Sequence, residues 1–195
     1  MIVIDTETSG IDPAGACILS IGAVELEHPE NRFYGECRVF GDAHVSSEAL
    51  AINGFTDASA RDPRKQSDGD LMKAFIAWSE SCADRTLSGQ NPSFDEAFMK
   101  ASCARHHMQY PFAKRNVDLH SVAYAYLRGK GQPVPMKHGH SDQDLSKTLA
   151  LVGITDARNT HNALEDALLE AEAFSRLVFR KKLLPEYGHL EIPRG

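Results

Sequence analysis

The 195-residue chain lacks several features that would assign it to a common protein class. No apolar run approaches the roughly 18 residues that a membrane-spanning helix requires, and no basic-then-apolar leader precedes the first predicted strand. The four cysteines are scattered and form no Cys-x-x-Cys pair, which argues against a disulfide framework or a zinc site. We therefore expect a cytoplasmic protein with reduced thiols and no membrane partner.

Basic residues are also fewer than acidic residues. The chain has 21 basic and 27 acidic residues and a formal net charge of −6. This balance argues mildly against tight nonspecific binding to duplex nucleic acid, although divalent ions and local basic patches can offset it. A Gly-x-Ser-x-Gly sequence is absent, so a serine hydrolase is not indicated, and Gly129-Lys130-Gly131 is too short for a phosphate-binding loop.

The order of predicted elements indicates an α/β domain with a mixed sheet flanked by helices. Three early strands, starting at Ile2 and covering 17–26 and 32–40 with a turn near 28–31, predict an antiparallel meander. Short strands follow near 86–89 and 116–119. Predicted helices cover 46–51, 71–83, 93–107, 120–127, a segment opened by Ser141 that ends near Gly153, and 163–181, whereas 128–140 is expected to be irregular. We assign 1–182 to one domain and 183–195 to a short C-terminal tail.

Two carboxylates, Asp5 and Glu7, lie near the end of the first strand. Strand side chains alternate between faces, so these two point the same way and Thr6 points to the other face. Paired carboxylates are tolerated when a cation lies between them, and oxygen ligands suit Mg²⁺ or Mn²⁺. Taken alone, this spacing is also that of a solvated pair on an edge strand.

A third carboxylate, Asp95, falls in the first turn of a predicted helix. Either Asn91 caps this helix with Pro92 at its first position, or Ser93 caps it with Glu96 as partner. Both interpretations place Asp95 beside the end of the preceding short strand. A simpler role for Asp95 is to complement the helix dipole.

The last long helix has a similar start. Asn162 and Glu165 have the spacing of a capping box, which places His161 on the incoming loop and Asp166 in the first turns of the helix. A histidine on a loop can move, whereas an aspartate on a helix is held firmly. This division suits a general base and a metal ligand, although a histidine before a helix is often only a surface residue.

Taken in order, these motifs are Asp-x-Glu on a first strand, Asn-x-x-x-Asp at a central helix start and His-x-x-x-x-Asp at the last helix start. The set resembles that of the DEDDh 3′→5′ exonucleases, which have a ribonuclease H-like fold. Segments 18–25, 52–56 and 144–149 add to the likeness, which covers about residues 1–178.

The resemblance implies that Asp5, Glu7, Asp95 and Asp166 are catalytic and hold two Mg²⁺ or Mn²⁺ ions, with Asp95 acting directly or through water. It implies that His161 takes a proton from the attacking water. The substrates would be single-stranded DNA or RNA 3′ ends, and the products would be nucleoside 5′-monophosphates.

The resemblance also implies that Thr8, Ile52, Asn53 and Phe94 bind the substrate's terminal nucleotide, while Ile52 and Phe94 are equally consistent with core packing. Six basic residues could follow a single-stranded backbone or simply form a solvated face: Arg105, Lys114, Arg115, Arg128, Lys130 and Lys137. The chain departs from many relatives at Ser9, at Gln90 and in the length of segment 128–140.

A second hypothesis is a polymerase-associated or nucleic-acid-binding subunit that acts mainly by interaction. The presence of all five motif residues argues against it. The sequence does not choose between DNA and RNA, nor between a homodimer and a polymerase partner.

Overall fold

The computed structural model describes residues 1–193 and is built around a five-stranded mixed sheet. The strands are β1 (Ile2–Thr8), β2 (Ile18–Glu25), β3 (His28–Glu36), β4 (Leu87–Gly89) and β5 (Val117–Asp118), in the order β3-β2-β1-β4-β5. The first three strands are antiparallel, and β4 and β5 run parallel to β1. The predicted α/β mixed sheet is confirmed.

Helices cover both faces of this sheet. They are α1 (Ser47–Ile52), α2 (Asp57–Ala60), α3 (Asp68–Ser79), α4 (Pro92–Arg105), α5 (Leu119–Gly129), α6 (Leu145–Leu151) and α7 (Ala163–Phe179). A small hairpin pairs β6 (Met136–Lys137) with β7 (His140–Ser141), and a 3₁₀ turn spans Pro185–Tyr187. Within residues 1–193, no helix combines the length and apolar character needed to cross a membrane.

The alternation along β1 divides the core into two layers. Ile2 and Ile4 pack in one buried cluster with residues of α3 and α4. Val3 packs in a second cluster with residues of α5, α6 and α7. Asp5, which follows the same alternation as Val3, therefore lies on the α7 face of the sheet.

Several predicted boundaries were wrong. The third strand begins at His28, where a turn was predicted, and it ends at Glu36. Pro29 is tolerated there because β3 lies at the edge of the sheet. Helix α4 begins at Pro92, which supports the alternative with Pro92 at the first position and excludes Ser93 as the cap. The side chain of Asn91 makes no capping bond, and its φ angle is 59°.

Segment 128–140 is also more ordered than expected. Its end forms part of the β6–β7 hairpin, and Ser141 lies in β7 and does not open a helix. The helix begins after Asp144, whose side chain accepts a hydrogen bond from the Lys147 amide. The Asp142 amide donates to the Pro135 carbonyl at 2.8 Å, which continues the hairpin contacts past Ser141 and leaves the cap to Asp144.

The residues after α7 fold back against that helix. Arg176 is fully buried, and its Nε donates to Glu172 at 2.6 Å. Arg176 also donates to the Tyr187 carbonyl at 2.9 Å, while Glu172 accepts from the amides of Leu183 and Leu184 at 2.9 and 2.8 Å. Arg176 and Glu172 therefore pair with each other within α7, and their remaining hydrogen bonds tie the C-terminal segment to that helix.

The start of α7 approaches β2 at Gly22. A Cβ atom at this position would lie 2.1 Å from the Ala163 carbonyl carbon and 2.2 Å from the Leu164 nitrogen. Both are backbone atoms, so rotation of a side chain cannot relieve the clash. Only glycine allows the helix to lie this close to the sheet.

We expect Gly22→Ala to destabilise the fold by about 3 kcal/mol, at the upper end of the range for overpacking, because α7 must move outward. Urea unfolding of the metal-free protein measures this change. Gly129→Ala is the control, since a Cβ there meets nothing within 4 Å and the residue lies in α5. Alanine at position 129 is expected to be neutral or to stabilise by about 0.5–1 kcal/mol. Equal effects of the two substitutions would contradict the close approach at Gly22.

Candidate functional site

The end of β1 provides the first two side chains of the site. Asp5 pairs with Gly22 in the antiparallel register, and Glu7 pairs with Ser20. Glu7 is 5% exposed, and its Oε1 atom has no hydrogen-bond partner among residues 1–193. A carboxylate oxygen is thus buried beside the start of α7 with no hydrogen-bond partner in the described chain.

The start of α7 places the other two side chains. The Asn162 side chain accepts from the amides of Leu164 and Glu165 at 3.1 and 3.2 Å, so this residue caps the helix. Asp166 is buried in the first turns, and its Oδ2 lies 3.2 Å from His161 Nδ1. His161 precedes the cap and remains 46% exposed.

Three of the predicted residues converge closely. Glu7, His161 and Asp166 each offer one ligand atom, and these atoms lie within 4.8 Å of one another. Asp5 lines the adjoining cavity of about 330 Å³ together with Asp166. The donor set consists mainly of carboxylate oxygens, which suits a hard divalent cation such as Mg²⁺.

Asp95 approaches β1 from the opposite face. It is buried in the first turn of α4, and its Oδ1 accepts from Thr6 Oγ1 at 2.7 Å. Thr6, which points to the other face of β1 from Asp5 and Glu7, therefore tethers Asp95 to the strand. The negative charge of Asp95 is close enough to raise the pKa of Asp5 and of Glu7.

Burial and mutual repulsion govern the electrostatics of this cluster. Burial, with the charge of Asp166 next, raises the pKa of Glu7 to about 7. Burial also raises the pKa of Asp95 to about 7 against the opposing effect of its bond from Thr6, and it raises the pKa of Asp5 well above its usual value. The hydrogen bond to Asp166 raises the pKa of His161. Such a cluster favours bound protons or bound cations.

Two side chains at the site that were not predicted form a chain of ion pairs. Arg158 Nη1 lies 2.8 Å from Asp166 Oδ1, and Arg158 Nη2 lies 2.7 Å from Asp156 Oδ2. Both residues lie in the loop before α7, where no periodic pattern marks them. Sequence spacing gave no signal for this contact.

A third side chain that was not predicted, Glu170, did carry a signal. It follows Asp166 by four residues on a helix, which places both on one face. The same cavity of about 330 Å³ is lined by Glu170, Asp5 and Gln90. The Gln90 side chain donates to the Gln143 carbonyl at 3.0 Å, which ties this wall of the cavity to the segment before α6.

The structure brings three of the four predicted substrate-binding residues together. Asn53 Nδ2 donates to the Thr8 carbonyl at 2.9 Å, and the Ile52 carbonyl accepts from the His161 amide at 2.9 Å. Ile52 is 47% exposed and lines a mainly apolar cavity. Phe94 instead packs against the core, with its ring centroid 5.0 Å from that of Phe98.

Arg105, one of the six basic residues predicted to follow a nucleic-acid backbone or to form a solvated face, contacts other side chains of the protein. Arg105 forms a salt bridge with the buried Asp68, and its guanidinium carbon lies 3.7 Å from the centre of the Phe40 ring. These contacts make Arg105 part of the protein's own packing. Lys137 lies exposed in β6, on the hairpin that closes segment 128–140.

Comparison with known proteins assigns this chain to a family. A sequence model described as Exonuclease matches residues 2–174. The chain therefore belongs to the exonuclease family, and the predicted enzyme class, a 3′→5′ exonuclease, is confirmed. It is 28% identical to ribonuclease T of Yersinia pseudotuberculosis, over 94% of this chain and 86% of the relative. It is 27% identical to the DNA polymerase III subunit epsilon of Pasteurella multocida, over 89% of this chain and 66% of that protein.

Solved structures share the fold. Exonuclease I of E. coli, in complex with a 5cy-dT13 oligonucleotide, superposes with a TM-score of 0.70 at 20% identity, over 92% of this chain and 40% of that chain. The nuclease domain of 3′hExo, a DEDDh family member bound to rAMP, gives 0.70 at 18% identity, over 94% and 93%. The ribonuclease H-like architecture is thereby confirmed.

The raised pKa of Glu7 has a consequence for the stability of the metal-free protein. The folded protein keeps a proton on Glu7 up to about pH 7, whereas the ordinary value is 4.5. Between these two pH values Glu7 is ionised in the unfolded protein and protonated in the folded protein, so the stability of the fold falls as pH rises. We expect Glu7→Gln to become more stable than the parent protein as pH rises through this window, by as much as about 3 kcal/mol.

Urea unfolding in EDTA at pH 4.5, 6 and 8 measures this difference. Glu48→Gln is the control, because Glu48 is exposed in the first turn of α1. A stability difference between Glu7→Gln and the parent that stays constant across the three pH values would contradict the electrostatic account of the site.

Proposed function

We propose that this enzyme is a metal-dependent 3′→5′ exonuclease that removes nucleoside 5′-monophosphates from single-stranded ends. The observation that carries the proposal is the convergence of Glu7, His161 and Asp166 within 4.8 Å. An unsatisfied oxygen on Glu7 lies in this cluster, and no hydrogen-bond partner for it exists in residues 1–193. The proposal covers a single domain of residues 1–182 with a tail of 183–195.

The acidic residues would hold two Mg²⁺ or Mn²⁺ ions. Asp5, Glu7 and Asp166 offer oxygens on the α7 face, and Asp95 completes the set from α4. When bound, the ions would supply positive charge that lowers the pKa of the attacking water and stabilises the leaving 3′ oxygen. The repulsion that raises the carboxylate pKa values is relieved by the same charge.

His161 would act as the general base. Its Nδ1 faces Asp166 Oδ2 at 3.2 Å, so a proton held on Nδ1 leaves Nε2 able to accept another. The residue lies before the helix cap and is half-exposed, which gives the ring access to a water at a substrate phosphate. Positioned proton transfer typically contributes about 10²–10⁴ in rate.

The terminal nucleotide would bind between the end of β1 and α1. Thr8 and Asn53 form one hydrogen-bonded unit there, and Ile52 presents an exposed apolar surface. Exonuclease I has been solved in complex with single-stranded DNA, which supports a single-stranded substrate for this chain.

We also propose a cytoplasmic location. The four cysteines are buried free thiols, which suits the reducing cytoplasm.

Digestion of 5′-labelled single-stranded DNA and RNA of equal sequence tests the function. With Mg²⁺ or Mn²⁺ we expect a ladder that shortens from the 3′ end, and with EDTA we expect none. Asp5→Ala should abolish cleavage, and His161→Ala should slow it about 10²–10⁴-fold. The controls Asp42→Ala and His189→Ala change exposed residues and should cleave normally. A folded, metal-supplied enzyme that degrades neither polymer would favour a subunit that acts by interaction.

Asn53 tests the location of the substrate. Removing its side chain leaves the Thr8 carbonyl without its donor and loosens the wall formed by α1, while the acidic residues remain in place. We expect Asn53→Ala to raise KM about tenfold, the equivalent of roughly 1.4 kcal/mol of binding, with a smaller change in kcat. Steady-state kinetics on a short oligonucleotide measures both constants. An unchanged KM would place the terminal nucleotide elsewhere.

A further inference from the structure

Glu170 is a buried acidic side chain of α7 to which the sequence motifs give no role. It lies one helical turn beyond Asp166 on the same face and is 1% exposed. Together with Asp5 and Asp166 it lines the cavity of about 330 Å³ at the site. The side chain is therefore inside the acidic cluster and does not belong to the apolar core beside it.

The carboxylate of Glu170 is only partly satisfied. Its Oε2 has no hydrogen-bond partner among residues 1–193. This oxygen lies 3.1 Å from the point that a Cβ of Gly89 would occupy, at the end of β4, where the Ile4 carbonyl also approaches. The absence of a side chain at position 89 therefore leaves room for the carboxylate beside β1.

The charge of Glu170 acts mainly on Asp5. After burial, Glu170 is the largest cause of the raised pKa of Asp5, ahead of Asp95 and Glu7. Burial, followed by the charges of Asp95 and Asp166, raises the pKa of Glu170 itself well above its usual value. Glu170 thus adds negative charge on the Asp5 side of the site.

A second buried glutamate on the same helix shows that burial alone does not produce this state. Glu172 is fully buried, yet it receives a hydrogen bond from Arg176 and two from backbone amides. Donors from α7 and from the segment after it thus satisfy the Glu172 carboxylate. Glu170, which faces the site, keeps one oxygen without a hydrogen-bond partner in residues 1–193. A cation would satisfy that oxygen and neutralise its repulsion with Asp5.

We propose that Glu170 is a fifth acidic ligand of the metal centre and holds the divalent ion on the Asp5 side through Oε2. This inference rests on the metal-dependent function proposed above. Glu170 would raise the affinity for that ion, because its carboxyl group is already desolvated and already positioned and would give up its proton to bind the metal.

Counting bound Mn²⁺ by electron paramagnetic resonance tests the inference without a measurement of activity. The full chain is titrated with Mn²⁺ alone and with thymidine 5′-monophosphate present. We expect Glu170→Gln, which preserves the shape and removes the charge, to bind one ion at least tenfold more weakly or to lose it. Glu80→Gln, which changes an exposed residue at the C-terminal end of α3, controls for the loss of a distant charge.

A folded Glu170→Gln protein with wild-type Mn²⁺ count and affinity would overturn the inference and leave Glu170 as a protonated structural side chain. Glu170→Asp, which keeps the charge on a shorter side chain, is the second variant. If Glu170→Gln does not fold, wild-type Mn²⁺ affinity in Glu170→Asp overturns the inference, and weaker binding supports it. Wild-type protein that binds no Mn²⁺ at all would instead contradict the proposed function, so the two failures are distinguishable.

Discussion

The close contact between α7 and β2 at Gly22 is the constraint on which the site depends. Gly22 pairs with Asp5 in the sheet, so the helix start lies beside the strand that carries Asp5 and Glu7. Magnesium is held by oxygens about 2.0–2.1 Å away, which leaves little tolerance for a displaced helix. An outward movement of α7 by the space of one methyl group would move Asp166 away from Glu7 and disturb the proposed metal site.

The chain gathers several buried carboxylates at one end of the sheet, and this arrangement opposes folding. Each ionised group there is desolvated and repelled by the others, and Arg158 is the cation that contacts Asp166 and Asp156 within residues 1–193. The apolar clusters on both sides of β1 stabilise the arrangement. Raised pKa values and unsatisfied oxygens at a single place are typical of a functional site, where stability yields to function.

The features of the fold and of the site that could be predicted from the sequence were those marked by residues close together in the chain. Strand alternation placed Asp5 and Glu7 on one face. Pro92 located the start of the helix that carries Asp95, and the Asn162 cap located the start of the helix that carries Asp166. These rules use neighbours within a few residues, and the mixed sheet followed from the order of the elements. The roles of the individual residues remain predictions.

The errors came from contacts that the neighbouring residues in the sequence do not reveal. Arg105 binds Asp68, 37 residues away, and its sequence neighbours do not reveal this partner. Ser141 has the composition of a helix cap, but the hairpin pairs it with Met136. Glu170 is an exception, because its spacing of four residues from Asp166 on one helix is a local signal.

The hydrogen bonds around α1 join the wall of the site to its histidine. The Ile52 carbonyl accepts from the His161 amide, and the neighbouring Asn53 side chain holds the Thr8 carbonyl. Consecutive residues of one short segment thus reach both the loop before α7 and the end of β1. A displacement of this segment would move the position of His161 and the backbone beside Glu7 together. His161 and the acidic residues are therefore linked by backbone contacts as well as by the bond between His161 and Asp166.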